Sequence, residues 1–342
     1  MDASQQNLSE LLELANHYPS PHNGQPVRFK RTGQETFELY FDTSRGLTAA
    51  DISFLFSFVT MGVFTTHLEL CARALGHGCR IEPRLPDVAK LHGEGLVKFA
   101  DGRLQLGATS PDEALHRTLL FRQTSRKKYS EGVGTALSDK TIDLAAKHGL
   151  ELVRMGRRAT KQAIWLNQRA VFDDMFDDAV RKELDHWLRY NQSEKEQKMD
   201  GLAYDCMEMS GGLMKFIVRH YKLLRAPGIG WALQQYYLRT MSDNSDVYYM
   251  LAPFSTEQES FEVGVAIMQI WGLLANGGYY LHPFGTIMSN EAAHRDFLAL
   301  TGITHEDKAK NFLAFIYRAG KSAAPHHSLR LPIKDHLEME AR

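Results

Sequence analysis

Cysteine is scarce in this chain. Its 342 residues include three, Cys71, Cys79 and Cys206, and none stands in CxxC spacing. That excludes a disulfide framework and a zinc ribbon, and it fits a reducing, cytoplasmic compartment. An excess of one charge is missing too. Lys and Arg number 40 against 41 Asp and Glu, a formal net charge of -1. The basic surplus of a general nucleic-acid binder is therefore absent, as is the acidic bias of a disordered tail. No basic stretch followed by an apolar core opens the sequence, so no signal peptide is expected. The GxGxxG and GxSxG patterns are absent. Gly320-Lys321-Ser322 ends like a P-loop, but Phe315 stands where its first glycine belongs. No two histidines lie three or four residues apart, which removes a helical metal pair. Asp173, Asp174, Asp177 and Asp178 read as a solvated helix face, so no metal is expected.

Long uncharged runs are also few. Ile52–Leu68 and Val263–Leu281 approach the roughly 17–25 residues that span a bilayer. The first carries Ser53, Ser57, Thr60, Thr65, Thr66 and His67, and the second Gln269 and Asn276. Polar groups at that density are costly in lipid, so both read as buried core helices. No membrane or nucleic-acid partner is expected.

What is present is a faint repeat. Gly62-Val63 and Gly264-Val265 sit in the two apolar runs, and Gly76 and Gly278 follow at equal distances. The offset is 264 − 62 = 202. Two central helices of one layout suggest internal duplication. Around them, strands are expected at Arg28–Lys30, Phe37–Phe41, Arg80–Glu82, Leu96–Ala100, Arg103–Leu106, Leu150–Met155, Val247–Ala252 and Phe312–Arg318. Asp101-Gly102 predicts a hairpin turn. Helices are expected at Ser9–Tyr18, Pro111–Phe121 and Ser138–His148. The stretch from Ala159 to Thr240 is rich in charge and aromatics and reads as an inserted helical segment. Composition leaves open whether it is a lid or fills space in the fold.

Three constellations carry polar chemistry. Tyr18-Pro19-Ser20-Pro21-His22-Asn23-Gly24-Gln25-Pro26 has three prolines that predict a rigid, extended loop. Its hydroxyl and amides offer donors and acceptors to a heterocycle edge, or cap the local backbone. Arg122-Gln123-Thr124-Ser125-Arg126 sets two guanidiniums beside hydroxyls, a natural phosphate seat or a solvated basic face. Arg330-Leu331-Pro332 follows the strand Phe312–Arg318 and offers a third charge to the same phosphate, or is a surface arginine near a chain end.

Together these residues resemble a known family. Pro19-Ser20-x-x-Asn23-x-Gln25-Pro26 resembles the PSxxNxQPW motif of FMN-dependent nitroreductases, and Arg122-x-Thr124-x-Arg126 resembles their RxSxR motif. Arg330-Leu331-Pro332 resembles the C-terminal strand with its phosphate-contacting arginine. The motif order, and Arg181-Lys182-Glu183-Leu184-x-x-Trp187-Leu188-Arg189 with Asp200-Gly201-Leu202, resemble the fused, duplicated Acg-like branch. Val27 replaces the motif's Trp, Gly24 its Ser or Thr, and Thr124 its Ser.

The resemblance implies an α+β nitroreductase-like fold, built as a single-chain internal pseudo-dimer with a helical lid insertion. The halves would be residues 1–110 and 111–342, with the lid at about 159–240. FMN would be held by Pro19, Ser20, Pro21, Asn23, Gln25, Arg122, Gln123, Thr124, Arg126 and Arg330. NAD(P)H would reduce it in a ping-pong cycle, and a small nitroaromatic, quinone or enone-like acceptor would take the electrons. The alternative is a flavin-sequestering protein with little turnover. No catalytic side chain is implied. The chain would be a monomeric pseudo-dimer or a homodimer.

Overall fold

The computed structural model describes residues 3–51, 53–93, 95–241 and 244–339. The chain opens with α1 (Ala3–Ala15), β1 (Val27–Arg31), β2 (Thr36–Asp42), α2 (Leu55–Ala74), β3 (Gly78–Pro83) and β4 (Leu96–Gln105). Next come α3 (Glu113–Phe121), β5 (Tyr129–Glu131), α4 (Thr135–Lys147) and β6 (Glu151–Arg154). A long excursion follows: α5 (Arg157–Asp174), α6 (Asp178–Trp187), β7 (Leu188–Arg189), α7 (Gln192–Lys198), β8 (Leu202–Ala203), α8 (Gly211–Arg219) and α9 (Ile229–Met241). The chain then returns through β9 (Asp246–Ala252), α10 (Glu257–Asn276), β10 (Tyr280–Pro283), α11 (Gly285–Ser289), α12 (Glu291–Thr301), β11 (Phe312–Ser322) and β12 (Glu338–Met339).

Helix and sheet are mixed, and two sheets flank a pair of central helices. One sheet runs β12-β1-β2-β4-β3 and the other β10-β11-β9-β6. Read from β1 and from β6, the antiparallel order is the same: β1-β2-β4-β3 matches β6-β9-β11-β10. The connections differ. A four-residue turn, 32–35, joins β1 to β2, whereas the whole excursion lies between β6 and β9.

The central helices explain the paired glycines. Helices α2 and α10 are each 20 residues long and start 202 residues apart. They cross at Gly62 and Gly264. A Cβ on Gly62 would lie 2.1 Å from the Phe261 carbonyl oxygen, and one on Gly264 would lie 2.1 Å from that of Val59. Only a missing side chain lets backbones meet this closely. Gly76 and Gly278 each leave their helix at φ 77°, the left-handed stop that favours glycine. Helix α10 is opened by a capping box of Thr256 and Glu259, which satisfies first-turn N–H groups. Among the described residues α2 alone is long and apolar enough to cross a membrane, and 78% of that window is buried. Its neighbours in one continuous core come from both ends of the chain, Leu11 and Phe29 as well as Met250 and Ile267.

Some expectations need correction. Asp101-Gly102 is no hairpin, because β4 runs straight through it, with Gly102 between Phe37 and Ile81. The glycine serves packing: a Cβ there would lie 2.1 Å from the Phe37 ring. The first helix ends at Ala15, ahead of Tyr18. The N–H groups of His17 and Tyr18 close a tight turn on Leu14 and Ala15 instead. Helix α3 begins at Glu113 because the Asp112 carboxylate caps Leu115 N, and α4 lies three residues earlier at its start than expected. Strand β11 continues to Ser322, held by β5.

Candidate functional site

The turn after α1 is compact, contrary to the extended loop expected from its prolines. Residues Pro21–Asn23 form a single 3-10 turn, and His22, Asn23 and Gln25 all adopt φ between 50° and 54°. Three left-handed non-glycine residues in four positions are strained, and surrounding contacts must hold them. Those contacts are visible. Ser20 Oγ accepts from Gln25 N at 3.0 Å. Asn23 Nδ2 donates to the Leu329 carbonyl at 3.0 Å, and Arg330 Nη1 donates to Asn23 Oδ1. Gln25 Oε1 accepts from Leu331 N at 2.9 Å, while its Nε2 donates to the carbonyls of Asn23 and Met199. The amides of the first motif thus bind the loop to the segment after β11 and to the excursion. Pro19 and Pro21 frame the turn. Val27 is fully buried in β1.

The same segment carries Arg330 onto the loop. Its Nε donates to the Asn16 carbonyl at 2.8 Å and its Nη2 to that of Tyr18 at 3.4 Å. Arg122 arrives from another direction, as the residue that ends α3. Its Nη2 donates to the His17 carbonyl, and its guanidinium lies 4.9 Å from the Trp271 ring centre on α10. Arg122 Nε is buried without a hydrogen-bond partner. Arg126 Nη1 donates to the Cys206 carbonyl at 3.3 Å, and its charge also reaches His22. Thr124 and Gln123 are half-buried, with Thr124 bridging to Leu281. The buried hydroxyl of this motif is that of Ser125, 2.8 Å from Ser322 Oγ.

The electrostatics are one-sided. Among the described residues no carboxylate lies within ion-pair distance of Arg122 or Arg330. Burial, then the Arg330 charge, pulls the Arg122 guanidinium down to about 9. Burial pulls Arg330 down to about 10. Both values stay above neutrality, so both groups carry charge at pH 7. A buried and a half-buried guanidinium, Arg122 and Arg330, held by carbonyl and amide oxygens with Arg122 Nε left over, suit a multivalent oxyanion such as a phosphate monoester. The donor set therefore fits the FMN phosphate. It does not present a free amide edge from Gln25, whose side-chain donors and acceptor are all engaged within the protein.

Residues outside the motifs complete the surroundings. Asp200 binds Arg45 at 2.6 Å and Arg189 at 2.5 Å, and Arg45 Nε donates to the Gly24 carbonyl at 2.5 Å. Gly201 N donates to the Asn23 carbonyl at 3.3 Å. A Cβ on Gly24 would lie 3.0 Å from the Arg45 carbonyl oxygen and 3.5 Å from the Trp187 ring, so no Ser or Thr fits there without movement. Trp271 and Arg45 carried no sequence signal, since nothing local marks a side chain that approaches from a distant element. In the sequence Arg318 marks no more than the end of a strand. It is fully buried, donates to His282 Nδ1 at 3.2 Å and the Lys127 carbonyl at 2.9 Å, and lies over the Tyr129 ring.

No family model matches this sequence, and no curated protein matches it. Among solved structures, one similar chain is the FMN-dependent nitroreductase NfnB from Mycobacterium smegmatis, in complex with NADPH. It shares 12% identity over 67% of this chain and 99% of its own, with a TM-score of 0.41. So shallow a likeness fixes neither family nor reaction.

Proposed function

We propose that this chain is an FMN-binding oxidoreductase of nitroreductase type. It would use NAD(P)H to reduce a small organic acceptor, a nitroaromatic, quinone or enone-like compound. The observation that carries the reading is the convergence of Arg122, on the His17 carbonyl, and Arg330, on those of Asn16 and Tyr18 and on Asn23, at the segment that follows α1, without a carboxylate partner among the described residues. In this reading Arg122, Arg126 and Arg330 hold the phosphate, and Gln123 and Thr124 border it. The turn from Pro19 through Ser20, Pro21, Asn23 and Gln25 shapes the wall beside it. When bound, FMN supplies the hydride and electron transfer, and the protein positions it and excludes water. The matched strand orders and the Gly62–Gly264 crossing support an internal pseudo-dimer, with residues 1–110 and 111–342 as its halves. One chain would then carry both motifs, the first in one half and the second in the other.

A second reading has its own support. The excursion reaches the turn through Trp187, Met199, Asp200 and Gly201. If this stretch, about 159–240, is a lid that also covers the flavin, nicotinamide is shut out and the protein sequesters the cofactor. One experiment tests both readings: a visible spectrum of the purified protein loaded with FMN, followed by anaerobic NADPH or NADH. Bound flavin that bleaches supports the oxidoreductase. Bound flavin that resists reduction supports sequestration. No retained flavin overturns both.

A further inference from the structure

The excursion between β6 and β9 has a small core of its own, built on Met175, Leu188, Met214, Ile217 and Val218. That core leaves large side chains uncovered on α8, on the turn 221–225 and on α9. Phe216, Leu223, Ile229, Trp231 and Tyr236 are all exposed, and Trp231 keeps 67% of its surface in water. Single exposed apolar residues are ordinary, but a group of large ones around one turn is not.

The charge around them is equally uneven. From Met209 to Ser242 the sequence has no Asp or Glu, yet it contains Lys215, Arg219, Lys222, Arg225 and Arg239. Arg219, Lys222 and Arg225 are exposed. Among the described residues none of Lys215, Arg219, Lys222 and Arg225 has an ion pair within 4 Å. Of the α6 carboxylates, Asp178 pairs with Arg181 while its charge also reaches Lys222, and Asp185 accepts from the Tyr190 hydroxyl. The turn is also preformed. Gly230 packs so tightly that a Cβ would lie 2.0 Å from the Leu224 carbonyl oxygen. Leu223, Pro227, Ile229 and Trp231 therefore project from a fixed bend with cations on its approach.

We propose that this bend is a membrane-surface contact, in which the exposed apolar residues enter the headgroup boundary and Arg219, Lys222 and Arg225 pair with anionic phospholipids. Basic side chains beside Trp and aliphatic groups are the composition of an interfacial anchor. Aliphatic residues distinguish it from a single-strand nucleic-acid surface, where each base needs a π-face to stack on. The contact lies on the bilayer and does not span it. A net charge of -1 for the whole chain conceals the patch, because opposite charges elsewhere cancel it in the sum.

The test uses the full chain with sedimenting vesicles, one set of phosphatidylcholine and one of phosphatidylcholine mixed with phosphatidylglycerol. The expected result is binding to the anionic set alone, weakened by salt, with a blue shift of tryptophan fluorescence. Trp231→Phe should abolish that shift while binding persists. Lys222→Glu with Arg225→Glu should weaken binding more than tenfold, at about fivefold per charge removed. The same reversal on α4, Lys140→Glu with Lys147→Glu, should leave it unchanged. The proposal is overturned if anionic vesicles do not bind the wild-type chain, or if the two double variants bind alike. Salt-sensitive binding of single-stranded RNA or self-association through the turn, without vesicle binding, also overturns it.

Discussion

A guanidinium is costly to bury without a carboxylate, and this chain buries Arg122 with a second cation, the half-buried Arg330, acting on it. The Arg330 charge disfavours that of Arg122, and neutral oxygens answer both guanidiniums. An incoming phosphate would relieve both at once. Arg122→Ala and Arg330→Ala are each expected to weaken FMN binding at least tenfold in a fluorescence titration. Unchanged affinity in both variants would remove the phosphate assignment. Two histidines of the same neighbourhood give a pH dependence. Burial, then the Arg126 charge, pushes His22 down to about 4. Burial, then Arg28 and Arg45, pushes His336 down to about 3, and its Nε2 lies 2.7 Å from Arg28 Nη1. Both rings ionise near 6.5 in the unfolded chain. They are neutral in the fold, so the stability they contribute is complete above about pH 6.5 and is lost as pH falls toward 4 and 3. Melting temperature should fall between pH 7 and pH 4. His22→Asn, which tolerates the left-handed backbone, should flatten that fall by on the order of 2 kcal/mol. The arginines were legible in the sequence because guanidiniums beside hydroxyls and prolines are unusual company. The engagement of Asn23 and Gln25 with Leu329, Leu331 and Met199 was not, because their partners lie far along the chain.

At the scale of elements, the α2–α10 crossing is the least forgiving contact. Gly62→Ala or Gly264→Ala drives a methyl into a carbonyl, and each should destabilise the fold by roughly 1–3 kcal/mol in denaturant unfolding. The two clashes share one crossing, so the double variant should cost less than the sum. Loss of less than about 0.5 kcal/mol in either would mean that the helices stand further apart. The glycine pair was readable here because the same backbone approach needs a missing side chain on each helix. Gly102 shows the opposite case. Asp-Gly between apolar runs marks a turn by local chemistry, but the Phe37 ring claims the missing side chain and the strand stays straight. Strands β9 and β11 were evident from their apolar runs. Short β7, β8 and β12 have too few residues for any pattern and exist through what they pair with.

At the scale of the molecule, Asp200 couples the excursion to the rest. It answers Arg45, which holds Gly24, and Arg189, which is buried at the start of the excursion's small sheet. Asp200→Asn leaves both guanidiniums short of a charge. Hydrogen exchange should speed up across residues 188–204 while α4 stays protected. Unchanged exchange in that stretch would show that packing by Trp187 alone suffices. The same variant bears on the two functional readings, since a loosened excursion should speed flavin reduction only where it had shut nicotinamide out.

The segment after β11 leaves one sheet and lies along the other, where β12 joins β1 in parallel. On its way Leu329 receives Asn23 across 306 residues of sequence, and Arg330 caps the carbonyls that follow α1. Synthesis runs from the first motif toward this segment. The turn at Pro19–Pro26 therefore emerges from the ribosome long before the groups that hold its strained backbone. Until then its left-handed residues have no reason to stay in place. On the proposed function, FMN capture belongs among the last events of folding, and nascent chains stalled before residue 329 should carry a finished central helix pair but no turn able to hold the phosphate.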